Sequence, residues 1–326
     1  MNTFGRKFRV SLFGESHGAC VGVCVDGCPA GIALQQPDFT FDLQRRRGGA
    51  RGATARTERD APELLSGVFE GKTTGAPITI IFRNENIRSG DYANLLSQPR
   101  PGHADFVAAR KFGGYADYRG GGHFSGRLTL GLVAAGVIAK KMLGNATVTA
   151  TILEAGGAKY GEHEAALEEA MAKGDSLGGL LECVVSNMPV GWGEPFFDSL
   201  ESLISHVVFA IPGVRGVEFG SGFAAARQRG SEHNDSIVSA CGKTATNHAG
   251  GVNGGISNGN DLVLRVAVKP TASIGAPQQT FDFEKGEVDE LHIRGRHDTC
   301  IALRVPVILE AATAIALADL MQLQAR

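Results

Sequence analysis

The segment Arg100-Pro101-Gly102-His103-Ala104-Asp105 places an imidazole beside a carboxylate and a guanidinium in a turn. Proline fixes φ and glycine permits the tight bend, so backbone stiffness holds His103 in place. An imidazole held in this way can act as an acid or base near neutral pH. A loop histidine on its own is commonly an ordinary surface residue. Here it has company: His17 lies in Gly14-Glu15-Ser16-His17-Gly18 and His297 in Arg294-Gly295-Arg296-His297-Asp298. Three glycine-framed polar knots so far apart in sequence read as one site gathered by folding.

Three further segments suggest what that site holds. Arg45, Arg46, Arg47, Arg51, Arg56 and Arg59 crowd one stretch with few acids, which implies a polyanionic ligand. Such a segment suits either a lid that clamps a small phosphorylated acid or an arginine-glycine arm on RNA; as a charge run it also suits a solvated loop. Gly120-Gly121-Gly122-His123-Phe124-Ser125-Gly126-Arg127 leads into an apolar helical pattern, and amides at a helix start attract anions. It lacks the Walker lysine and the dinucleotide glycine spacing, which argues against kinase and Rossmann chemistry. Lys269-Pro270-Thr271-Ala272-Ser273 follows an apolar strand pattern and offers a second anion cradle.

The elements that must position these knots are legible as alternating short strands and a few helices. Strands are expected at 8–13, 20–25, 64–69, 78–82, 148–153, 180–186, 216–219 and 262–268, from β-branched or apolar runs bounded by turn residues. Their short connections argue for antiparallel sheets. Leu128 to Leu143 and Val307 to Leu323 are apolar on nearly every face, as helices buried on several sides must be. A third helix is expected from Asp198 to Phe209, with Asp198 and Glu201 in capping-box spacing. The class is α+β, a buried helical layer between antiparallel β-sheets. Because each long helix follows a polar knot, the pattern also suggests an internal duplication.

Composition limits the classes of function. The chain has 326 residues, 43% hydrophobic and 20% charged, with a net charge of −2, so its surface as a whole is not a nucleic-acid trap. The arginine segment carries no interleaved aromatics, which further disfavours RNA. Cys20, Cys24 and Cys28 recur every four residues but lie on a strand-like run without a close C-x-x-C pair, so no metal site is expected. The remaining cysteines sit among apolar residues, as reduced core thiols do. With no leader or spanning segment in view, the expected location is cytoplasmic, with no membrane or nucleic-acid partner.

The ordered motifs resemble the chorismate synthase family over nearly the whole chain. They are Gly14-Glu15-Ser16-His17-Gly18, Arg45-Arg46-Arg47, the His103 turn, Asp175-Ser176-Leu177-Gly178-Gly179, Gly193-Glu194-Pro195-Phe196-Phe197-Asp198, Gly230-Ser231-Glu232-His233-Asn234-Asp235, Gly254-Gly255-Ile256-Ser257-Asn258-Gly259, Lys269-Pro270-Thr271 and Gly295-Arg296-His297-Asp298. The resemblance implies one domain over residues 1–326 and a lyase that converts 5-enolpyruvylshikimate 3-phosphate to chorismate and phosphate by 1,4-elimination. It implies reduced FMN as cofactor, with NADPH only if the chain reduces its own flavin. By the same resemblance His17 protonates the departing phosphate, His103 serves the reduced flavin and Asp298 helps move the C6 proton by way of flavin N5. FMN contacts carried over fall on His123, Phe124, Ser125, Pro212, Gly213, Gly254, Lys269, Pro270, Thr271, Ala272, Ser273 and Arg296; Arg45, Arg46, Arg47 and Arg51 would hold the substrate. A homotetramer is implied, together with a separate flavin reductase where the chain does not reduce its own flavin. Departures from the family pattern fall at His123-Phe124 and at Thr299. The competing readings are a flavoprotein of the same fold that has lost the elimination, and an RNA-binding protein using Arg45 to Arg59.

Overall fold

The computed structural model describes residues 2–54, 56, 58–87, 89–293, 295 and 297–324. Its first sheet contains β1 (Thr3–Phe4), β2 (Arg9–Gly14), β3 (Cys20–Asp26) and β4 (Glu63–Leu64). After a small hairpin of β5 (Val68–Phe69) with β6 (Lys72–Thr73) comes β7 (Ile78–Arg83), giving the order β1-β2-β3-β7-β4. All pairings are antiparallel, and the register sets Val21 opposite Phe82 and Val23 opposite Ile80, with all four side chains buried. Strict alternation thus gives the sheet one apolar face.

The second sheet has the order β11-β14-β10-β8-β9. It comprises β8 (Thr147–Ala155), β9 (Ala158–Lys159), β10 (Gly179–Ser186), β11 (Val214–Phe219) and, beyond the hairpin of β12 (Val252–Asn253) and β13 (Ile256–Ser257), β14 (Leu262–Val268). Leu181, Cys183 and Val185 stand opposite Val266, Leu264 and Leu262, and all six are buried. A last hairpin joins β15 (Gln278–Asp282) to β16 (Glu287–Leu291). The helices are α1 (Thr40–Arg46), α2 (Asp105–Lys111), α3 (Thr129–Met142), α4 (Glu164–Lys173), α5 (Leu200–Val208), α6 (Gly230–His233) and α7 (Val305–Gln324).

Helix α3 packs on the first sheet, α7 packs on the second, and the two helices pack on each other, so a helical layer lies between antiparallel sheets as expected. At their crossing, a Cβ on Gly136 would lie 2.3 Å from the Ala311 Cβ and 2.5 Å from its Cα. Only glycine lets the backbones approach so closely. The stretches Arg119–Met142 and Ile301–Gln324 are long and apolar enough to cross a membrane, but they are 78% buried inside the fold and form its core.

Three expectations need correction. The strand expected at 64–69 is divided between β4 and β5, because Gly67 turns the chain with φ of 78°. Helix α5 begins at Leu200 and its cap is Ser199, whose hydroxyl accepts from the Ser202 N–H; Asp198 instead pairs with Arg6. The arginine segment begins as helix α1 rather than as a loop. The two halves each combine a sheet with a long helix, and β3-β7-β4 in the first corresponds in order to β10-β14-β11 in the second, each with a small hairpin between its last two strands in sequence.

One region stands apart from the main core. Leu95, Leu291 and Ile293 form a small separate apolar cluster with Tyr92 packed on it. Residues 89–111 and the β15–β16 hairpin therefore make a satellite, held together by polar bonds such as Thr280 Oγ1 to the Pro99 carbonyl and tied back by others such as Arg100 Nη1 to Ser273 Oγ.

Candidate active site

A cleft of about 260 Å³ opens where the satellite meets the N-terminal ends of α3 and α7. Its apolar wall comes from Ile211, Pro212, Ile301, Val305 and Ile308, which the turn before β11 and the start of α7 present together. Around that wall stand Arg46, Arg56, Arg100, Arg127, Lys269 and Arg304, against the carboxylates of Glu58, Asp60 and Asp298. The excess of cations suits an anion of several charges.

The triple glycine joins the first two knots. Gly120, Gly121 and Gly122 all have positive φ, at 59°, 80° and 52°. A Cβ on Gly120 would meet the His17 Nε2 at 2.6 Å, and one on Gly121 would lie 3.6 Å from the His103 Nε2. The two imidazoles thus flank consecutive glycines. His17 is 5% exposed, with its ring edge-on to Tyr92 at 5.1 Å between centroids. Gly120 and Tyr92 line the cleft and His17 lies directly behind them, so the missing Cβ is what leaves its ring next to the cavity.

His103 lines the cleft directly. Its Nδ1 lies 2.6 Å from Asp105 Oδ1. Arg100 grips the same carboxylate twice, from Nε to Oδ2 and from Nη2 to Oδ1, both at 2.7 Å, and donates from Nη1 to Ser273 Oγ at 2.8 Å. Burial alone would raise the Asp105 pKa, but the hydrogen bonds from Arg100 and His103 outweigh it and hold the carboxyl well below its ordinary range.

The helix side of the cleft is a lattice of buried ions. Arg46 donates to Thr129 Oγ1 at 3.0 Å and to the Gly126 carbonyl at 2.9 Å, and its Nη1 lies 3.6 Å from Asp60. Burial, with the charges of Arg304 and Arg127, lowers the Arg46 pKa to about 9, which leaves it protonated at neutral pH. Arg127 binds Asp60 at 2.9 Å. Arg56 pairs with Glu58 at 2.7 Å and donates to Ser16 Oγ at 3.1 Å. Burial would raise the Glu58 pKa, but the Glu85 amide and Arg56 hold it below the usual value. Asp298 accepts from Arg304 at 2.9 Å and from the Thr54 amide at 2.9 Å.

The expected site residues divide accordingly. His103, Asp298, Arg46, Phe124, Ser125, Pro212, Gly213 and Lys269 through Ser273 line the cleft. Arg45 does not: it forms a two-pronged bond to Glu310 on the far side of α1. Arg47 is exposed and donates to the Arg59 carbonyl, while Arg51 pairs with Glu168 at the surface. His123 turns toward the N-terminal strands, 3.0 Å from the Gly14 carbonyl and 3.0 Å from Asn2 Oδ1. Gly254 sits at the tip of the β12–β13 hairpin, away from the cavity wall. Arg296 lies outside the described residues.

Sequence reasoning assigned no individual site role to Arg56, Glu58, Asp60, Arg100, Asp105, Arg127, His297 and Arg304. Arg100, Asp105, Arg127 and His297 lay inside motifs that were singled out, and Glu58 and Asp60 interrupt the basic segment. Acids placed there were the available signal that its arginines would be partly paired. Arg304 gave none.

The cleft also fits a flat ring with polar edges. The Thr271 hydroxyl is buried in its wall without a hydrogen-bond partner, which is rare for a buried polar atom unless a ligand completes it. Apolar residues line the same cavity. Phe124, in the wall itself, adds an aromatic surface.

Comparison with known proteins shows what this arrangement resembles. The family profile described as chorismate synthase matches residues 8–322. A chorismate synthase of Chitinophaga pinensis is 63% identical over 100% of the chain and 98% of its own length. One of Archaeoglobus fulgidus is 45% identical over 99% and 98%. A solved structure titled "Crystal Structure of Chorismate Synthase" superposes with a TM-score of 0.75 at 26% identity, over 98% of the chain and 93% of its own.

Proposed function

Because the chain belongs to the chorismate synthase family, a group of flavin-dependent lyases that carry out the last step of the shikimate pathway, we propose how its cleft performs that reaction. The substrate in this reading is 5-enolpyruvylshikimate 3-phosphate, an anion with a phosphate and two carboxylates. The elimination breaks the C3–O and C6–H bonds and leaves chorismate and phosphate.

The observation that carries the reading is the pair of histidines on consecutive glycines beside a strongly cationic, half-apolar cleft. Arg46, Arg56, Arg127 and Arg304 fix the anionic groups, and their buried partners keep the guanidinium planes from turning away. His17 gives a proton to the departing phosphate oxygen. Asp298 takes up the proton leaving the substrate ring, its carboxylate aimed by Arg304 and the Thr54 amide. His103 holds a proton at the flavin edge.

FMN is the flavin in this reading, held by Phe124, Ser125, Pro212, Gly213 and Lys269 through Ser273. When reduced it supplies electron density that eases phosphate departure without net redox change. The electrons come either from a separate reductase or, with NADPH, from the chain's own reduction of its flavin; NADPH-dependent turnover without a reductase assigns that step to the chain. The exposed side chains of Phe196, Phe197, Phe223, Ile237 and Val238 support assembly of a cytoplasmic homotetramer that covers them.

The test is chorismate formation under anaerobic conditions with chemically reduced FMN, with and without EDTA. Turnover is expected only with the reduced flavin and is expected to survive the chelator. Equal turnover with oxidised FMN in air, or loss of activity with EDTA, overturns the reading.

A further inference from the structure

We infer that Asp105 is a positioning residue for His103, holding the neutral imidazole with its proton on Nδ1 so that Nε2 is the nitrogen presented to the cleft. The inference rests on the proposed role of His103 but concerns a residue that role does not include.

The geometry admits one arrangement. Nδ1 of His103 lies 2.6 Å from Asp105 Oδ1 and 3.0 Å from Arg100 Nη2. It cannot donate to the first and accept from the second at once, and a guanidinium only donates. The carboxylate is buried, with its two oxygens already receiving Arg100 Nε, Arg100 Nη2 and the Arg100 amide. A carboxylate in that grip stays ionised and accepts only. The shorter, charge-assisted contact therefore requires the proton on Nδ1. Nε2 is left facing Gly121, where the cleft begins.

The rest of the setting makes Asp105 the decisive charge. On its own turn His103 meets Arg100; Lys269 and Ser273, from the segment after β14, line the same cleft, and Lys269 donates to the neighbouring Gly102 carbonyl. Asp117 and Tyr118 line the hollow on its other side. The same cleft is lined by Tyr92, His297, Asp298 and the guanidinium groups of Arg46, Arg127 and Arg304. Cations prevail around the ring, and Asp105 is the carboxylate in hydrogen-bonding contact with it. Without Asp105 the tautomer of the ring would be unspecified.

Segmental 15N NMR of the imidazoles in the flavin-free protein tests this directly. At a pH where His103 is neutral, the wild type is expected to show the proton on Nδ1. In Asp105→Asn the signal should move toward the Nε2-protonated form. Turnover with reduced FMN should drop roughly 10- to 100-fold with little change in KM, the usual cost of losing the partner that orients a functional histidine. Asp105→Glu should restore part of the rate and the Nδ1 tautomer. A wild-type neutral ring protonated at Nε2 overturns the inference without any variant. So does an Asp105→Asn protein whose tautomer and pH–rate profile match the parent while His103→Ala is inactive. If His103→Ala turns over at the parental rate, the role of His103 fails while the tautomer result still decides the inference.

Discussion

On the helix side of the cleft, Arg46 and Arg127 are 4% and 6% exposed and share Asp60, which is itself 6% exposed. On the satellite side, His103 sits on a short turn, and the rings of Phe106 and Phe283 stack on each other at the surface, with Arg110 over both. The first region places charge inside the fold, where each ion depends on its partner. The second places chemistry on a lightly anchored turn joined to the body by Arg100–Ser273 and Lys269–Gly102. An anion held by the first can thus be fixed by the core, while a proton donor on the second can adjust to it. The difference predicts which substitutions cost activity alone and which also cost stability.

The largest expected effect separates the two histidines from the ions. His17→Ala and His103→Ala should each slow turnover roughly 10²- to 10⁴-fold, the range for losing one general acid or base. Only the His103 variant should alter the absorbance of reduced flavin in the ternary complex, as stopped-flow spectra will show. Parental rates in both variants, or a spectral shift in the His17 variant alone, would break the role assignments.

The next effect distinguishes the two sides by stability. Asp60→Ala leaves Arg46 and Arg127 buried without their shared partner and should lower the free energy of unfolding by about 3 to 5 kcal/mol. The exposed pair of Arg51 with Glu168 provides the contrast: Arg51→Ala should change stability by less than about 1 kcal/mol. Urea denaturation of both variants measures the difference. Equal small losses would mean that the helix-side ions are not the stabilising lattice described here.

Acidification gives the smallest and most gradual effect. Glu58, Glu310 and Asp105 all have pKa values held below their ordinary ones, in each case because hydrogen bonds and neighbouring cations outweigh burial. A carboxyl depressed in the folded state stabilises the fold above its unfolded pKa, and that contribution is lost as pH falls through the folded value. Melting temperature should therefore begin to fall below about pH 4.5 and continue downward as these groups take up protons. Glu310→Gln should flatten part of that slope. An unchanged slope would place the acid sensitivity elsewhere.

Much of this was legible beforehand because it is local. Helices α3 and α7 showed themselves by being apolar on every face, and most strands by short apolar runs between turns. The β15–β16 hairpin was not legible: Gln278, Asp282, Glu287 and Glu290 leave little apolar alternation to read. The arginine segment was misplaced for a different reason. Its charges were evident, but the partners that turn Arg45 and Arg51 away are Glu310 and Glu168, more than a hundred residues downstream. A run of like charges does not reveal which members will be neutralised by chain that folds back later.

Residue types and their spacing alone determined that this chain would build a helical layer between antiparallel sheets and gather glycine-framed histidines into one anionic-ligand site. Periodicity and backbone stiffness act between near neighbours, so they are written in the order of residues. The tertiary structure alone decided that Arg46 rather than Arg45, Arg47 or Arg51 reaches the cleft, that His17 lies behind Gly120, and that Asp105 and Arg100 together orient His103. Those outcomes depend on charge pairing and close contact across the fold, which become definite only when distant segments are brought within hydrogen-bond reach.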